Sequence, residues 1–239
     1  MNGTQLCSRF SRITNQLNYC GPSEAHKTFA EHIKTGIKEE ETRNMLSKFE
    51  GLYPYLCFIA KKHSRDPFDF KVVEAYWIGN ELLDTITRED YQEFLTDLGK
   101  AGLPERYVQE SRKRMPESAI PHHTFHVLFV GVGRVTQTVP TTLENMQNCM
   151  TSWGEVIDVH DDAVQVKGPF LKAENGKFAL FVAERSTKYN PNLIQPKIGD
   201  WVAMHWGECA HVLTKEQLKN LQKYTNSIIE SVNSAPSSS

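Results

Sequence analysis

The spacing of apolar residues changes near Pro121, and this change divides the chain into two parts of different structural class. Residues 23–115 repeat apolar side chains at steps of three and four, which is the spacing of one face of an α-helix. After Pro121, short runs rich in β-branched and aromatic residues alternate with polar ones, as half-buried strands do. The sequence therefore predicts an α+β fold with a helical first half and a β-rich second half.

Capping signals place the ends of several predicted helices. Ser23 precedes "EAHKTFAEHIKT" and Gly36 follows it, which predicts a helix between them. Thr87 begins the capping box "TRED", and Pro104 opens a further short helix. Thr214 precedes "KEQLKNLQKYTNSII", which predicts an amphipathic helix near the C-terminus.

The second half predicts a small antiparallel barrel. "GEVIDVHDDAVQVKG" contains two alternating runs around "HDD", as a hairpin does, and "KFALFVAE" and "GDWVAMHWG" supply further strands. We predict a helical domain over 1–120, a strand and connecting segment over 121–148, and a barrel with a C-terminal helix over 149–230. The polar residues 231–239 predict a disordered tail.

Charge and hydropathy exclude several classes of protein. The formal net charge is -2, which gives no basic surface for a phosphate backbone, so we expect no nucleic-acid partner. No apolar run reaches the roughly 20 residues of a membrane span. The N-terminus lacks the apolar segment of a signal peptide, so we expect no membrane association and a cytoplasmic location. The five cysteines contain no C-x-x-C pair, which favours free thiols.

Two motifs in the second half have the spacing of a known family. The first is the C-x4-G motif from Cys149 to Gly154, which precedes the predicted hairpin. The second is a G-D-x-V-x-x-H-x-G motif followed by an alanine and a helix, with the residues Gly199, Asp200, Val202, His205, Gly207 and Ala210. Together and in this order, they resemble the HypC/HupF family of [NiFe]-hydrogenase maturation chaperones.

The resemblance implies a HypC-like, OB-like barrel and a metal-handling chaperone rather than an enzyme. Its functional residues, transferred by motif, are Cys149 and His205. The implied cofactor is iron with cyanide and carbon monoxide ligands, Fe(CN)2CO. The implied partner is a protein of the hydrogenase maturation machinery or a hydrogenase large subunit. Thiolate and imidazole are both suitable ligands for iron.

The chain departs from that family in two respects. The family's cysteine is N-terminal after removal of the initiator methionine, whereas Cys149 is internal. The family has no counterpart of the helical first half. There, "FEGLYPYL" and "VEAYWIGNELL" ahead of "PHHTFHV" resemble only a bacterial family without an assigned function.

Three histidines in "PHHTFHV" form a second candidate metal site: His122, His123 and His126. Their apolar neighbours favour a strand, in which His122 and His126 would stand about 13 Å apart and could not share one ion. His123 and His126 would point to opposite faces. Each would need ligands from elsewhere, such as Glu74 or Cys149.

This cluster supports an alternative function. The protein would then be a metal- or haem-dependent enzyme with its site between the two halves. A third interpretation is a plain interaction module that keeps the barrel as a scaffold, because a fold does not determine a function.

Overall fold

The computed structural model describes residues 1–236, which form the α+β fold that the sequence predicts. The α-helices are α1 (Gly3–Gln16), α2 (Ala25–Thr35), α3 (Glu39–Leu46), α4 (Tyr53–Lys62), α5 (Phe70–Trp77), α6 (Arg88–Lys100), α7 (Glu105–Arg114), α8 (His123–Phe125), α9 (Leu143–Cys149) and α10 (Lys215–Ser234). A 3-10 helix covers Glu81–Thr85, and a π-helix over His126–Gly131 continues α8. The strands are β1 (Ser152–Val159), β2 (Ala163–Glu174), β3 (Lys177–Lys188), β4 (Trp201–His205) and β5 (Glu208–Val212).

Most of the predicted helix ends are confirmed. Thr87 and Thr214 form reciprocal capping boxes at the starts of α6 and α10. Gly36 ends α2 in the left-handed conformation, where its lack of a Cβ matters. The prediction at Ser23 was wrong by one residue, because Glu24 is the N-cap of α2 and makes no side-chain capping bond.

The five strands form one sheet in the closed order β1-β2-β3-β5-β4. The predicted hairpin around "HDD" is the antiparallel β1–β2 pair, and β2 and β3 form a longer hairpin. β4 pairs with β1 on one side and with β5 on the other, also antiparallel. Closure depends on a single parallel pair, Lys188 with Glu208, so β3 and β5 meet only at their ends.

Two hydrophobic cores hold these elements together. The smaller one fills the ring of strands with residues such as Val164, Val202 and Cys209. The larger one contains most of the buried helical residues and also Trp153 and Ala203 from the sheet. The larger core therefore crosses the boundary that the sequence predicted between a helical domain and a barrel.

The first helix, α1, connects the two halves, and the sequence patterns did not reveal it. Its Phe10 stacks on Trp77 of α5 with 4.8 Å between ring centroids. Its Arg12 forms an ion pair with Glu208 at the start of β5. α1 is therefore buried between α5 and the sheet.

The predicted strand between residues 121 and 148 was wrong. This segment contains α8, the π-helix and most of α9, and no strand among the described residues. Phe125, Val127 and Val130 are fully buried, so the segment is apolar on every side. A buried helix and a buried strand then have the same composition, and periodicity does not separate them.

The last helix, α10, also joins the halves. Its Gln217 donates to Glu74 of α5 at 3.0 Å, and its Asn233 bonds the backbone of Phe178 in β3. It extends to Ser234, so the prediction of disorder from residue 231 was wrong there; residues 237–239 lie outside the described part of the chain. Among the described helices, none is both long and apolar enough to cross a bilayer.

Gly168 tests the packing of β1 against β2. A Cβ at this position would overlap the backbone of Trp153 and lie 2.8 Å from the Cα of Gly154. We expect Gly168→Ala to lower the free energy of unfolding by about 1–3 kcal/mol, since backbone atoms have no room to move aside. Urea denaturation measures this.

The matched control is Gly99→Ala in α6, where the new Cβ would lie 3.4 Å from a methyl of Val108. Alanine favours a helix over glycine by about 1 kcal/mol, so this variant should be as stable as the parent or more so. Equal stability of Gly168→Ala and the parent would show that β1 and β2 are not packed this closely.

Candidate metal centre

Three side chains from distant parts of the sequence meet where the helices contact the sheet. His123 is the first residue of α8, Cys149 is the last residue of α9, and His205 is the last residue of β4. One ligand atom of each lies within 4.8 Å of the others. His123 and His205 are 6% and 2% exposed and Cys149 is half-buried, so the two rings are screened from solvent. This group could hold a metal ion.

His205 presents a free nitrogen lone pair to the group. Its Nδ1 lies 2.8 Å from the carbonyl oxygen of Phe10 in α1, so Nδ1 carries the proton and donates it. The neutral ring then has its lone pair on Nε2. That atom is buried and has no hydrogen-bond partner among the described residues. Donation of one ring nitrogen to a backbone carbonyl is the usual support of a metal-binding histidine.

His123 is held at both ring nitrogens. Nδ1 lies 2.9 Å from the Tyr76 hydroxyl, which in turn lies 2.9 Å from the carbonyl of Gly51. Nε2 lies 2.8 Å from the carbonyl of Cys149 and 3.6 Å from its sulfur. A neutral ring has only one N–H and cannot satisfy all of these contacts at once, so there are two proton arrangements to compare.

In the first, Tyr76 donates to Gly51 and accepts from Nδ1 of His123. The lone pair of Nε2 then faces Cys149. In the second, Tyr76 donates to Nδ1, and Nε2 donates to the Cys149 carbonyl. Only the first arrangement leaves Nε2 free to bind a metal. The Tyr76–Gly51 contact favours it, whereas the 2.8 Å contact of Nε2 with the Cys149 carbonyl, which only accepts, favours the second. Metal binding at Nε2 must therefore replace the hydrogen bond to this carbonyl.

Cys149 is positioned by the short helix α9 and by the end of β4. Thr142 caps α9, and the carbonyl of Asn148 accepts from the backbone N–H of Trp206 at 2.6 Å. This bond holds the last turn of α9 beside His205. The cysteine therefore lies at a helix end, three residues before β1 begins, rather than in the strand itself.

The electrostatics of the group follow from its burial. Burial lowers the pKa of His205 to about 4 and that of His123 well below its ordinary value. Both rings are therefore neutral near pH 7, the state in which imidazole binds metals. Burial also raises the pKa of the Cys149 thiol well above its ordinary value. Metal binding must therefore displace a proton from this thiol.

A cavity of about 50 Å³ adjoins the three ligand atoms. Since one water needs about 10–15 Å³, this space holds a few waters or a small molecule. Trp77 forms part of its wall, and its ring lies 4.3 Å from His123 and 5.1 Å from His205 between centroids. Tyr19 and Trp206, which pack on each other at 4.6 Å, also line it.

The other two histidines of "PHHTFHV" lie outside the ligand group. His122 caps α8 by accepting from the backbone N–H of Thr124 at 3.0 Å, and its ring faces Tyr224. His126 lies one helical turn after His123, and its Nδ1 bonds the hydroxyl of Tyr55 at 2.9 Å. The prediction that His123 and His126 point to opposite faces was wrong, because residues three apart in a helix share a face.

Glu74 and two potential ligands near the second motif, Cys209 and His211, have other contacts. Glu74, the expected extra ligand, bonds Gln217, Lys71 and Asn80 and is absent from the group. Cys209 is packed inside the sheet core, and Nε2 of His211 lies 3.1 Å from the side-chain oxygen of Gln217.

Sequence motifs pointed to Cys149 and His205, and the histidine cluster contained His123. No motif identified Tyr76, which orients the ring of His123, or the Phe10 carbonyl, which orients the ring of His205. The signal at Tyr76 was only its place in an apolar helical stripe.

Comparison with known proteins gives a family and no function. The chain belongs to a family of unknown function, DUF6390, whose model matches residues 1–239. No curated protein and no solved structure matches it significantly.

The buried histidines predict a loss of stability in acid. Burial lowers the pKa of His122, His126 and His205 to about 4, whereas an unfolded histidine titrates near 6.5. The unfolded chain therefore binds protons that the folded one does not as the pH falls from about 6.5 to 4, and stability is lost across this window. Each histidine contributes up to roughly 3 kcal/mol to this loss.

Urea denaturation of chelator-treated protein at several pH values measures the loss. His122→Asn offers a side-chain oxygen in place of Nδ1 as the acceptor of the helix cap and removes one titrating group, so its dependence on pH should be shallower. A free energy of unfolding that stays constant between about pH 6.5 and 4.5 would contradict the burial of neutral rings.

Proposed function

We propose that this protein handles a transition metal ion that His123, Cys149 and His205 bind together. One observation supports this above all others: ligand atoms from three separate elements lie within 4.8 Å of one another. The unpartnered Nε2 of His205 points to the same conclusion, because a buried polar atom normally has a partner.

The donor set restricts the metal. One thiolate and two imidazoles suit zinc, copper or iron, and they do not suit the hard ions magnesium and calcium. Three protein ligands leave at least one position for another ligand, and the adjoining cavity has room for it.

The specific form of the proposal is an iron-handling chaperone of [NiFe]-hydrogenase maturation, as the HypC/HupF resemblance implies. Cys149 and His205, the two positions given by the family motifs, both belong to the ligand group. The closed order of strands suits a HypC-like, OB-like barrel. Iron with cyanide and carbon monoxide would place its small ligands in the cavity.

A carrier must also release its metal. Tyr19 and Trp206 line the cavity and pack on each other, so their separation would open the site. The expected receiver is a hydrogenase large subunit or another maturation protein.

The second candidate function is a metal-dependent enzyme. The observation that favours it is His123, which comes from the histidine cluster on which that alternative was based and adds a third ligand. All three ligands follow Pro121, and Tyr76 and Trp77 of the first half line the cavity beside them. Haem does not fit at this site, because the volume of the cavity, about 50 Å³, is far below the roughly 300–1,000 Å³ of cofactor-sized pockets.

The metal content of the purified protein tests the metal binding that both candidate functions require. We expect protein purified without oxygen to contain close to one equivalent of zinc, copper or iron, measured by elemental analysis. Cys149→Ser and His205→Ala should each lose most of it, because each removes one of three ligands. Infrared bands of bound cyanide or carbon monoxide would support the chaperone, and their absence from an iron-loaded protein would favour the enzyme.

Two matched controls separate ligand loss from damage to the fold. His32 is buried, its Nδ1 bonds the carbonyl of Ile37 at 2.7 Å, and its Nε2 has no partner, as in His205. Cys57 is a half-buried free thiol outside the group. His32→Ala and Cys57→Ser should keep the metal. Full metal content in Cys149→Ser would contradict the proposal.

Tyr76 provides a second test, because it orients His123 without touching the metal. When Nε2 of His123 binds the metal, Nδ1 carries the proton and donates it to the Tyr76 hydroxyl. Tyr76→Phe removes this acceptor, so metal affinity should fall by about 10- to 100-fold. Competition titration with a chromophoric chelator measures this change. Tyr55→Phe is the control, because its hydroxyl bonds His126 instead. Equal affinities of Tyr76→Phe and the parent would show that His123 is not a ligand.

A further inference from the structure

Strand β3 has one unpaired edge. On one side it pairs with β2 over its whole length, from Lys177 to Lys188. On the other side, only Lys188 pairs with a strand, β5. A strand edge of this kind offers a row of free N–H and C=O groups to another chain.

The residues whose backbone N–H and C=O groups are free can be identified, because these groups alternate in direction along a strand. Asn233 bonds both the N–H and the carbonyl of Phe178, so the backbone of Phe178 points away from β2. The N–H of Lys188 bonds the carbonyl of Gly207, so it points the same way. Alternate residues of a strand share this direction. The four between them are Leu180, Val182, Glu184 and Ser186.

These four residues have no backbone partner on that side within the described part of the chain. Val182 is 67% exposed and Phe181 is 44% exposed, so the edge is also apolar at its centre. Natural proteins usually cover or interrupt such an edge. Here the described residues block only its two ends, through Asn233 and through β5.

We propose that a second copy of this chain pairs with this edge, β3 against β3 and antiparallel, about a two-fold axis at Ala183. The free stretch runs from Leu180 to Ser186, and Ala183 is its midpoint. An axis at the midpoint places Val182 opposite Glu184 and Leu180 opposite Ser186. Every free group of the edge then has a partner, and neither chain extends into the blocked ends.

The side chains agree with this register. Glu184 faces Val182 of the second copy rather than another carboxylate. Phe181 faces Arg185, whose guanidinium already lies over the ring of Phe170. A register centred one residue later would place Glu184 against Glu184, and like charges directly opposite are destabilising. The edge is therefore complementary to itself at Ala183.

A charge variant tests the contact. Val182→Glu places two carboxylates opposite each other, so the dimer dissociation constant, measured by sedimentation equilibrium, should rise at least tenfold. Adding Glu184→Lys to this variant should restore the dimer, because the facing charges are then opposite. Ile198→Glu is the matched control, since Ile198 is equally exposed, at 68%, and lies outside β3. It should leave the dimer unchanged.

A cross-link tests the register. Facing residues of a non-hydrogen-bonded pair have Cα atoms about 4.5 Å apart, which allows a disulfide. Ala183→Cys should therefore form a covalent dimer on mild oxidation. Ser186→Cys should not, because its two copies would lie about 20 Å apart. The parent, with its five native cysteines, gives the background.

A parent protein that stays monomeric at all concentrations, with no cross-link through Ala183→Cys, would overturn the proposal. A dimer that Val182→Glu leaves intact would overturn it as well. The outcome is separate from the metal proposal, because the paired edge contains none of the three ligands.

Discussion

The hydrogen bond from Nδ1 of His205 to the Phe10 carbonyl is the contact on which the site depends. It joins β4 to α1 in a buried position and determines which nitrogen of the ring carries the proton. It also connects the ring to the aromatic packing beneath it. Phe10 stacks on Trp77, and Trp77 contacts both His205 and His123. One stack therefore positions two of the three ligands.

Burial makes this arrangement costly without a ligand. A buried polar atom left without a partner destabilises a protein by about 1–3 kcal/mol, and Nε2 of His205 is such an atom. A bound metal would give it a partner. His32 has the same free nitrogen, yet within residues 1–236 it belongs to no group of three potential ligands. The arrangement of three donors, rather than one unpartnered atom, therefore distinguishes the site.

Much of the fold could be predicted from local patterns. Runs of alternating residues identified β1 to β4, although burial itself alternates clearly only in the first half of β2, and β4 is buried on both faces. Capping boxes located α6 and α10, because a cap depends on residues only three apart. The segment from Phe125 to Gly131 could not be predicted in this way, since burial on all sides removes the periodic signal.

The site was harder to predict than the fold, because its residues come from three separate elements. The family resemblance implied Cys149 and His205 as a pair. It did not show which of the three clustered histidines would join them. That depends on α8 beginning at His123, which turns His122 into its cap and directs His126 to Tyr55. Tyr76 and the Phe10 carbonyl act through tertiary contacts, which no local pattern records.

The coordination shell of the bound metal is the most direct test of this account. X-ray absorption of the zinc-loaded protein should show one sulfur at about 2.3 Å and two imidazole nitrogens at about 2.0–2.1 Å. The remaining scatterer should be a light atom from the cavity. A shell without sulfur, or with only one imidazole, would contradict the assignment of Cys149, His123 and His205 as the ligands.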